Sequence, residues 1–129
     1  RGETVLVVED STSLRKIICL LLAENGYRPI EAATPEQALA ACARHRVDLL
    51  LADVIMPQMS GRELVVRLRE QYGVARVLYM TGYDDECVAH HGVLRDGQHV
   101  LEKPFLEADL LRAVRCALDA PAGRTVASA

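Results

Sequence analysis

The run Val47-Asp48-Leu49-Leu50-Leu51-Ala52-Asp53-Val54-Ile55-Met56-Pro57 constrains this 129-residue chain more than any other stretch. An unbroken apolar run of strand length, with no alternation of polar residues, describes a strand buried on both faces. The run ends at Ala52 and the next residue is an acid. Asp53 is therefore expected at the carboxyl end of a central strand, the edge at which open α/β sheets bind their ligands.

The rest of the chain supplies the elements such a strand needs as neighbours. Thr4 to Val8 reads as a first strand, followed by the turn and cap residues Glu9-Asp10-Ser11-Thr12-Ser13. Leu14, Ile17, Ile18, Leu21 and Leu22 then recur at helical spacing, with Gly26 as the stop. Arg28 to Ala32 is a weaker strand containing Pro29, which cannot donate to a ladder and suits an edge. Thr34-Pro35-Glu36-Gln37 combines an N-cap, a proline at the first helical position and a capping-box glutamine, opening a helix to about Arg46. After the central strand, Ser60-Gly61-Arg62-Glu63 opens a helix that buries Leu64, Val65 and Leu68. Arg76 to Met80 gives a fourth strand broken by Thr81-Gly82, and residues 84–91 allow only a short helix. His99 to Glu102 is a fifth strand, and Leu110, Leu111, Val114 and Leu118 mark a closing amphipathic helix. The nine residues after Ala120 are mostly small and polar, so residues 1–120 are expected to form one domain and 121–129 a fraying tail.

Five strands alternating with five helices predict an α/β fold, a doubly wound (βα)5 parallel sheet. The flavodoxin-like strand order 2-1-3-4-5 suits five strands and places the Pro29 strand at an edge. Its switch point falls between strands one and three, both of which end in acids.

Composition excludes several classes. No apolar run approaches the roughly 20 residues of a membrane span. A net charge of -3, with scattered Lys and Arg, gives no footprint for nucleic acid. Cys19, Cys42, Cys87 and Cys116 contain no C-x-x-C pair, which reads as isolated thiols in a reducing, cytoplasmic setting. His90 and His91 are adjacent, point in different directions and lack a third ligand; His45 and His99 read as structural or surface residues. The chain begins at Arg1 rather than Met, which fits a segment of something longer and, equally, a processed or trimmed start.

Four strand ends converge on one rim: Glu9 and Asp10 after the first, Asp53 after the third, Thr81 after the fourth and Lys103 after the fifth. Three neighbouring carboxylates repel one another unless a cation joins them. Oxygen-only ligands suit Mg²⁺, which keeps positions free for phosphate oxygens. Asp53 at the centre is placed to act as a carboxylate nucleophile, with Lys103 and Thr81 as further donors.

Val-Val-Glu-Asp at 7–10, Asp53 with Pro57 and Gly61 after it, Met80-Thr81-Gly82 and Lys103-Pro104-Phe105 together resemble the receiver domain of two-component response regulators. The resemblance covers residues 4 to about 119. It implies that Asp53 accepts a phosphoryl group from a phosphohistidine of a histidine kinase or a histidine phosphotransfer domain. It further implies that Asp10, Asp53 and the backbone carbonyl of Ile55 bind Mg²⁺, that Glu9 acts through a water, and that Thr81 and Lys103 contact the phosphoryl oxygens. A cis Lys103-Pro104 bond, and a monomer or weak dimer, go with it. The stretches around 81–85, 91–94 and 101–105 look like receivers fused to the C-terminus of hybrid sensor histidine kinases, which favours a receiver detached from such a kinase. The partner is expected around the last helix and the short fourth helix.

Two departures stand out. Val100 occupies the place where most receivers carry Phe or Tyr, and a β-branched side chain has no comparable swing. Activation is therefore expected to reshape the loop after Thr81 more than the strand carrying Val100. Apolar Ile55 cannot orient a water and Tyr83 can shield the phosphorus, so a long-lived aspartyl phosphate is expected. Two rival readings remain: a flavodoxin-like flavin binder using Ser11-Thr12-Ser13 as a phosphate cradle, opposed by the adjacent acids and the lack of Trp, and a receiver-like interaction module that is never phosphorylated.

Overall fold

The continuous apolar run around Leu50 is explained by what lies on either side of it. In the computed structural model, which describes residues 2–54, 61–74, 76–81 and 99–120, β3 (Leu49–Asp53) is fully buried and forms the middle of a five-stranded parallel sheet. The other strands are β1 (Thr4–Val8), β2 (Arg28–Ala32), β4 (Val77–Thr81) and β5 (His99–Glu102), in spatial order β2-β1-β3-β4-β5. Alternate residues of one strand feed opposite cores, as the period of two requires. Leu6, Val8, Leu50 and Ala52 pack on α2 (Pro35–Arg44) and α3 (Gly61–Tyr72) through Ala38, Ala41, Leu64 and Leu68. Val5, Val7, Leu49 and Leu51 pack on α1 (Thr12–Glu24) and α4 (Glu107–Asp119) through Ile18, Leu22, Leu110 and Val114. Each fully buried leucine contributes about 1.5–3 kcal/mol by leaving water.

The predicted strand order and flavodoxin-like α/β fold hold. Pro29 sits on the outer strand, opposite Val5, where its missing N–H interrupts no inner ladder. The predicted short helix at 84–91 and the tail from 121 onward lie outside the described residues, as does Ser60 of the third helix's capping box.

Local signals worked with small shifts. Ser11 Oγ accepts the Leu14 N–H at 3.4 Å and caps α1, while Gly26 takes φ 90° just past its end. Thr34 Oγ1 accepts the Gln37 N–H at 3.2 Å, and Gln37 Oε1 reaches back one residue further than expected, to the Ala33 N–H at 2.7 Å. That helix closes at Arg44 rather than near Arg46, because His45 is already extended, with φ -129° and ψ 147°. The intervening residues are needed to turn into the sheet, where Asp48 N–H donates to the Thr4 carbonyl and Asp48 Oδ2 accepts the Thr4 N–H.

Two strand ends move outward from the sequence expectation. β3 includes Asp53, because its backbone still has a register partner in Met80. β4 runs from Val77 to Thr81, because Thr81 pairs with Glu102 of β5. Asp53 and Thr81 are therefore the last residues of their strands.

Candidate functional site

The carboxyl edge of the sheet gathers the acids. Glu9 follows β1 and is 2% exposed, whereas Asp10 beside it is exposed. Asp53, 4% exposed, closes β3. One carboxylate oxygen from each of Glu9, Asp10 and Asp53 falls within 4.8 Å of the others. Lys103, just past β5, crosses to them: its Nζ lies 2.6 Å from Asp53 Oδ1 and 3.1 Å from Glu9 Oε1.

Each residue is held by its backbone. The Glu9 N–H donates to the Ala32 carbonyl at 3.0 Å, and Glu9 Oε2 accepts the Ser11 N–H at 2.9 Å. The Lys103 N–H donates to the Thr81 carbonyl at 2.7 Å, which sets the start of the lysine side chain against the end of β4. The Lys103-Pro104 peptide is cis. The Gly61 N–H donates to the Val54 carbonyl at 2.6 Å, so α3 begins directly against the residue after Asp53.

The electrostatics are those of crowded acid. Burial pushes the Asp53 carboxyl up to about 8, its hydrogen bond with Glu9 adds to this, and the Lys103 ammonium only partly opposes it. Burial acts on Glu9 in the same sense. There the hydrogen bonds from Asp53, the Ser11 N–H and Lys103 outweigh it, and the Glu9 carboxyl is held below its usual value. Lys103 is likewise raised although burial works against its charge, because two carboxylates face it. Crowding of the two acids thus favours a proton shared between Glu9 and Asp53 while no cation faces them, and a cation that binds there must displace it.

Once all three carboxylates are ionised, one ammonium leaves two negative charges unmatched, the charge of one divalent cation. The donors are all hard oxygens, and Asp10 stands exposed at the mouth. This set fits Mg²⁺, with Glu9, Asp10 and Asp53 able to hold it. Ile55, whose carbonyl the sequence reading added, lies outside the described residues.

The structure thus brings Glu9, Asp10, Asp53 and Lys103 together and puts Thr81, 8% exposed, on the neighbouring strand end one residue beyond Asp53's register partner. Val100 is 38% exposed on β5, paired with Tyr79. One residue escaped the sequence reading. Arg15 of α1 is 9% exposed and its Nη1 donates to the Glu9 carbonyl at 2.9 Å. Its signal was spacing: Arg15, Ile18 and Leu22 share one helix face, the face that packs on the sheet.

This edge has known counterparts. Residues 5–115 match the sequence pattern of the response regulator receiver domain. The chain belongs to that family. The receiver is 30% identical over 119 residues to the phosphate regulon transcriptional regulatory protein PhoB of Pseudomonas aeruginosa, covering 91% of this chain and 52% of that protein. It is also 30% identical over 116 residues to the transcriptional regulatory protein YvrH of Bacillus subtilis, covering 89% of this chain and 48% of YvrH. The receiver therefore spans about half the length of the curated relatives it matches. Among solved structures, the chemotaxis protein CheY4 of Vibrio cholerae superposes with a TM-score of 0.77 at 31% identity, over 91% of this chain and 99% of CheY4. A CheY-like receiver from Methanospirillum hungatei gives 0.77 at 26% identity, over 92% and 95%. PhoB and YvrH are transcriptional regulatory proteins, and CheY4 is a chemotaxis protein. As a receiver, the chain is a phosphoacceptor signalling domain of two-component systems. No helix among the described residues is long and apolar enough to cross a membrane.

Proposed function

We propose that Asp53 is the phosphoacceptor of this receiver, taking its phosphoryl group from a phosphohistidine on a histidine kinase or a histidine phosphotransfer domain. The observation that carries this reading is a buried carboxylate at the end of the central strand, 2.6 Å from a lysine ammonium and flanked by two more acids. In the transfer, an Asp53 carboxylate oxygen forms a bond to phosphorus while the phosphorus–nitrogen bond to imidazole breaks, and the bonding pair leaves with the imidazole nitrogen. Lys103 exchanges its contact with Asp53 for one with the incoming phosphoryl oxygens, and the Thr81 hydroxyl donates to another. Glu9 and Asp10 complete the acid cluster with Asp53. A bound Mg²⁺ would neutralise the charge shared by these acids and the phosphoryl oxygens. Loss of the phosphoryl group to water would follow at the same Asp53 acyl phosphate, so the domain directs its own chemistry without being a general acid–base enzyme.

An apolar hollow of about 500 Å³ lined by Leu14, Ile17, Leu21, Pro104 and Phe105 shares Lys103 with the acid cluster. A partner presenting phosphohistidine to Asp53 must pass over this rim, where Ile17 stands exposed, as do Leu20 on α1 and Leu106 next to Phe105 in the chain. To the docking face expected around the last helix and the short fourth helix, of which the latter lies outside the described residues, this adds α1 together with the loop before α4. The domain comprises residues 1–120, works in the cytoplasm as a monomer or weak dimer, and makes no contact with nucleic acid or membrane itself. For the parent protein, the named relatives favour a transcriptional regulator over the hybrid histidine kinase that the motif flanks suggest.

The test is to incubate the chain with acetyl phosphate, with and without Mg²⁺, and to locate the adduct by mass spectrometry. A single Mg²⁺-dependent adduct on Asp53, absent from Asp53→Asn, is expected. Modification elsewhere, or modification indifferent to Mg²⁺, would falsify the reading. The same experiment separates the receiver from a non-phosphorylated interaction module, and absence of yellow colour disposes of a flavin binder.

A further inference from the structure

Arg15 is a charged side chain on the buried face of α1, and burying a guanidinium is unfavourable unless its donors are matched. Two matches are in place. Nη1 donates to the Glu9 carbonyl at 2.9 Å, and Nε donates to Glu31 Oε1 of β2 at 2.9 Å. Lys16 Nζ adds a longer contact of 3.4 Å to the same carboxylate.

The Glu9 carbonyl needs such a donor. It lies one residue beyond β1, where the ladder has ended, and among the described residues no backbone N–H reaches it. A buried carbonyl in that position is satisfied by a side chain or remains a liability. With Arg15 present, every polar group of Glu9 has a partner: its N–H on the Ala32 carbonyl, its carbonyl on Arg15, and its carboxylate on the Ser11 N–H and Lys103. The peptide joining Glu9 to Asp10 is therefore held at its carbonyl by α1, and the peptide before it is held by β2.

We infer that Arg15 is a positioning residue: anchored on Glu31, it holds the Glu9 carbonyl and so sets the direction in which the Asp10 carboxylate is presented to the cation. The inference rests on the reading of Glu9, Asp10 and Asp53 as a divalent-cation site. A planar fork suits the task, since two acceptors on different elements must be engaged at once, and a lysine ammonium on its flexible stem reaches one of them at a time.

The test uses Mg²⁺ itself as the probe, titrated calorimetrically into the metal-free chain and into Arg15→Met, Arg15→Lys and Glu31→Gln. Amide exchange at Ser11 is followed by NMR without Mg²⁺. Arg15→Met is expected to weaken Mg²⁺ binding about tenfold, in line with other residues that orient metal ligands. Arg15→Lys restores only part of that affinity. Glu31→Gln, which keeps a neutral acceptor for Nε, stays within about twofold of the unaltered chain. Ser11 exchange quickens in Arg15→Met, and the Mg²⁺ midpoint for phosphorylation by acetyl phosphate rises while the rate at saturating Mg²⁺ holds. If Arg15→Met does not fold by circular dichroism, Arg15→Lys is read on the same scale. Mg²⁺ affinity and Ser11 exchange that match the unaltered chain in folded Arg15 variants overturn the inference alone. An unaltered chain that takes up no Mg²⁺ overturns the cation-site reading and this inference with it.

Discussion

Replacing Gly61 by alanine tests how tightly the start of α3 is set against the candidate phosphoacceptor. A Cβ at Gly61 collides with the Asp53 carbonyl oxygen, and it also lies 2.9 Å from the Asp53 carbonyl carbon and 3.1 Å from the Val54 Cα. Every obstacle is backbone, and it belongs to the end of a fully buried strand, so no side-chain tip can swing aside. Either α3 lifts away, stretching the 2.6 Å bond from Gly61 N–H to the Val54 carbonyl, or the end of β3 moves with Asp53. Overpacking usually costs about 1–3 kcal/mol, and an all-backbone clash belongs at the upper end, about 3 kcal/mol. For a domain of this size that is a fall in Tm of about 10 °C, read by differential scanning calorimetry. Displacement of Asp53 by a fraction of an ångström should also slow its phosphorylation by acetyl phosphate about tenfold or more. A Gly61→Ala chain that melts within about 2 °C of the unaltered one and phosphorylates at the same rate refutes the close approach.

Three further expectations follow, two from the structure and the last from the sequence. Because the folded-state pKa of Asp53 is raised, the metal-free fold binds this proton more strongly than the unfolded chain does, and stability falls as pH rises from about 4 to about 8. Asp53→Asn should therefore be more stable at pH 7.5 without Mg²⁺, by on the order of 1–3 kcal/mol after allowance for solvent screening, and lower stability in a urea titration contradicts it. Below about pH 4 the lowered Glu9 acts in the opposite sense, its contribution fading as it is protonated. Leu50→Ala, at a position with no exposure, should cost about 2–5 kcal/mol, whereas Leu20→Ala, 59% exposed, should leave Tm nearly unchanged. Ile55→Asn should speed loss of the phosphoryl group; an unchanged half-life removes the apolar-shielding account.

The sequence made the sheet legible because each signal had a single physical meaning. An unbroken apolar strand requires cover on two faces, and Pro29 requires an edge. The same held for the site, since acids, a threonine and a lysine at the ends of β1, β3, β4 and β5 share a rim once the strand order is known. What stayed hidden depended on three-dimensional satisfaction of polar groups. Arg15 reads as a surface charge until the Glu9 carbonyl is seen to lack a ladder partner. The extra strand residues Asp53 and Thr81 were not legible because pairing depends on how far the neighbouring strand extends. Gly61 read as part of a capping signal, while its closer constraint is the backbone of Asp53.

The alternation of β3 between two cores makes the central strand a reading frame. Leu49 and Leu51 face one set of helices and Leu50 and Ala52 the other, so a single inserted or deleted residue here exchanges the two sets wholesale. The Asp53 carboxylate would be carried to the opposite face with them, away from Glu9 and Lys103. Substitutions in β3 are graded in their effect, but a length change of one residue would abolish core and site in the same event.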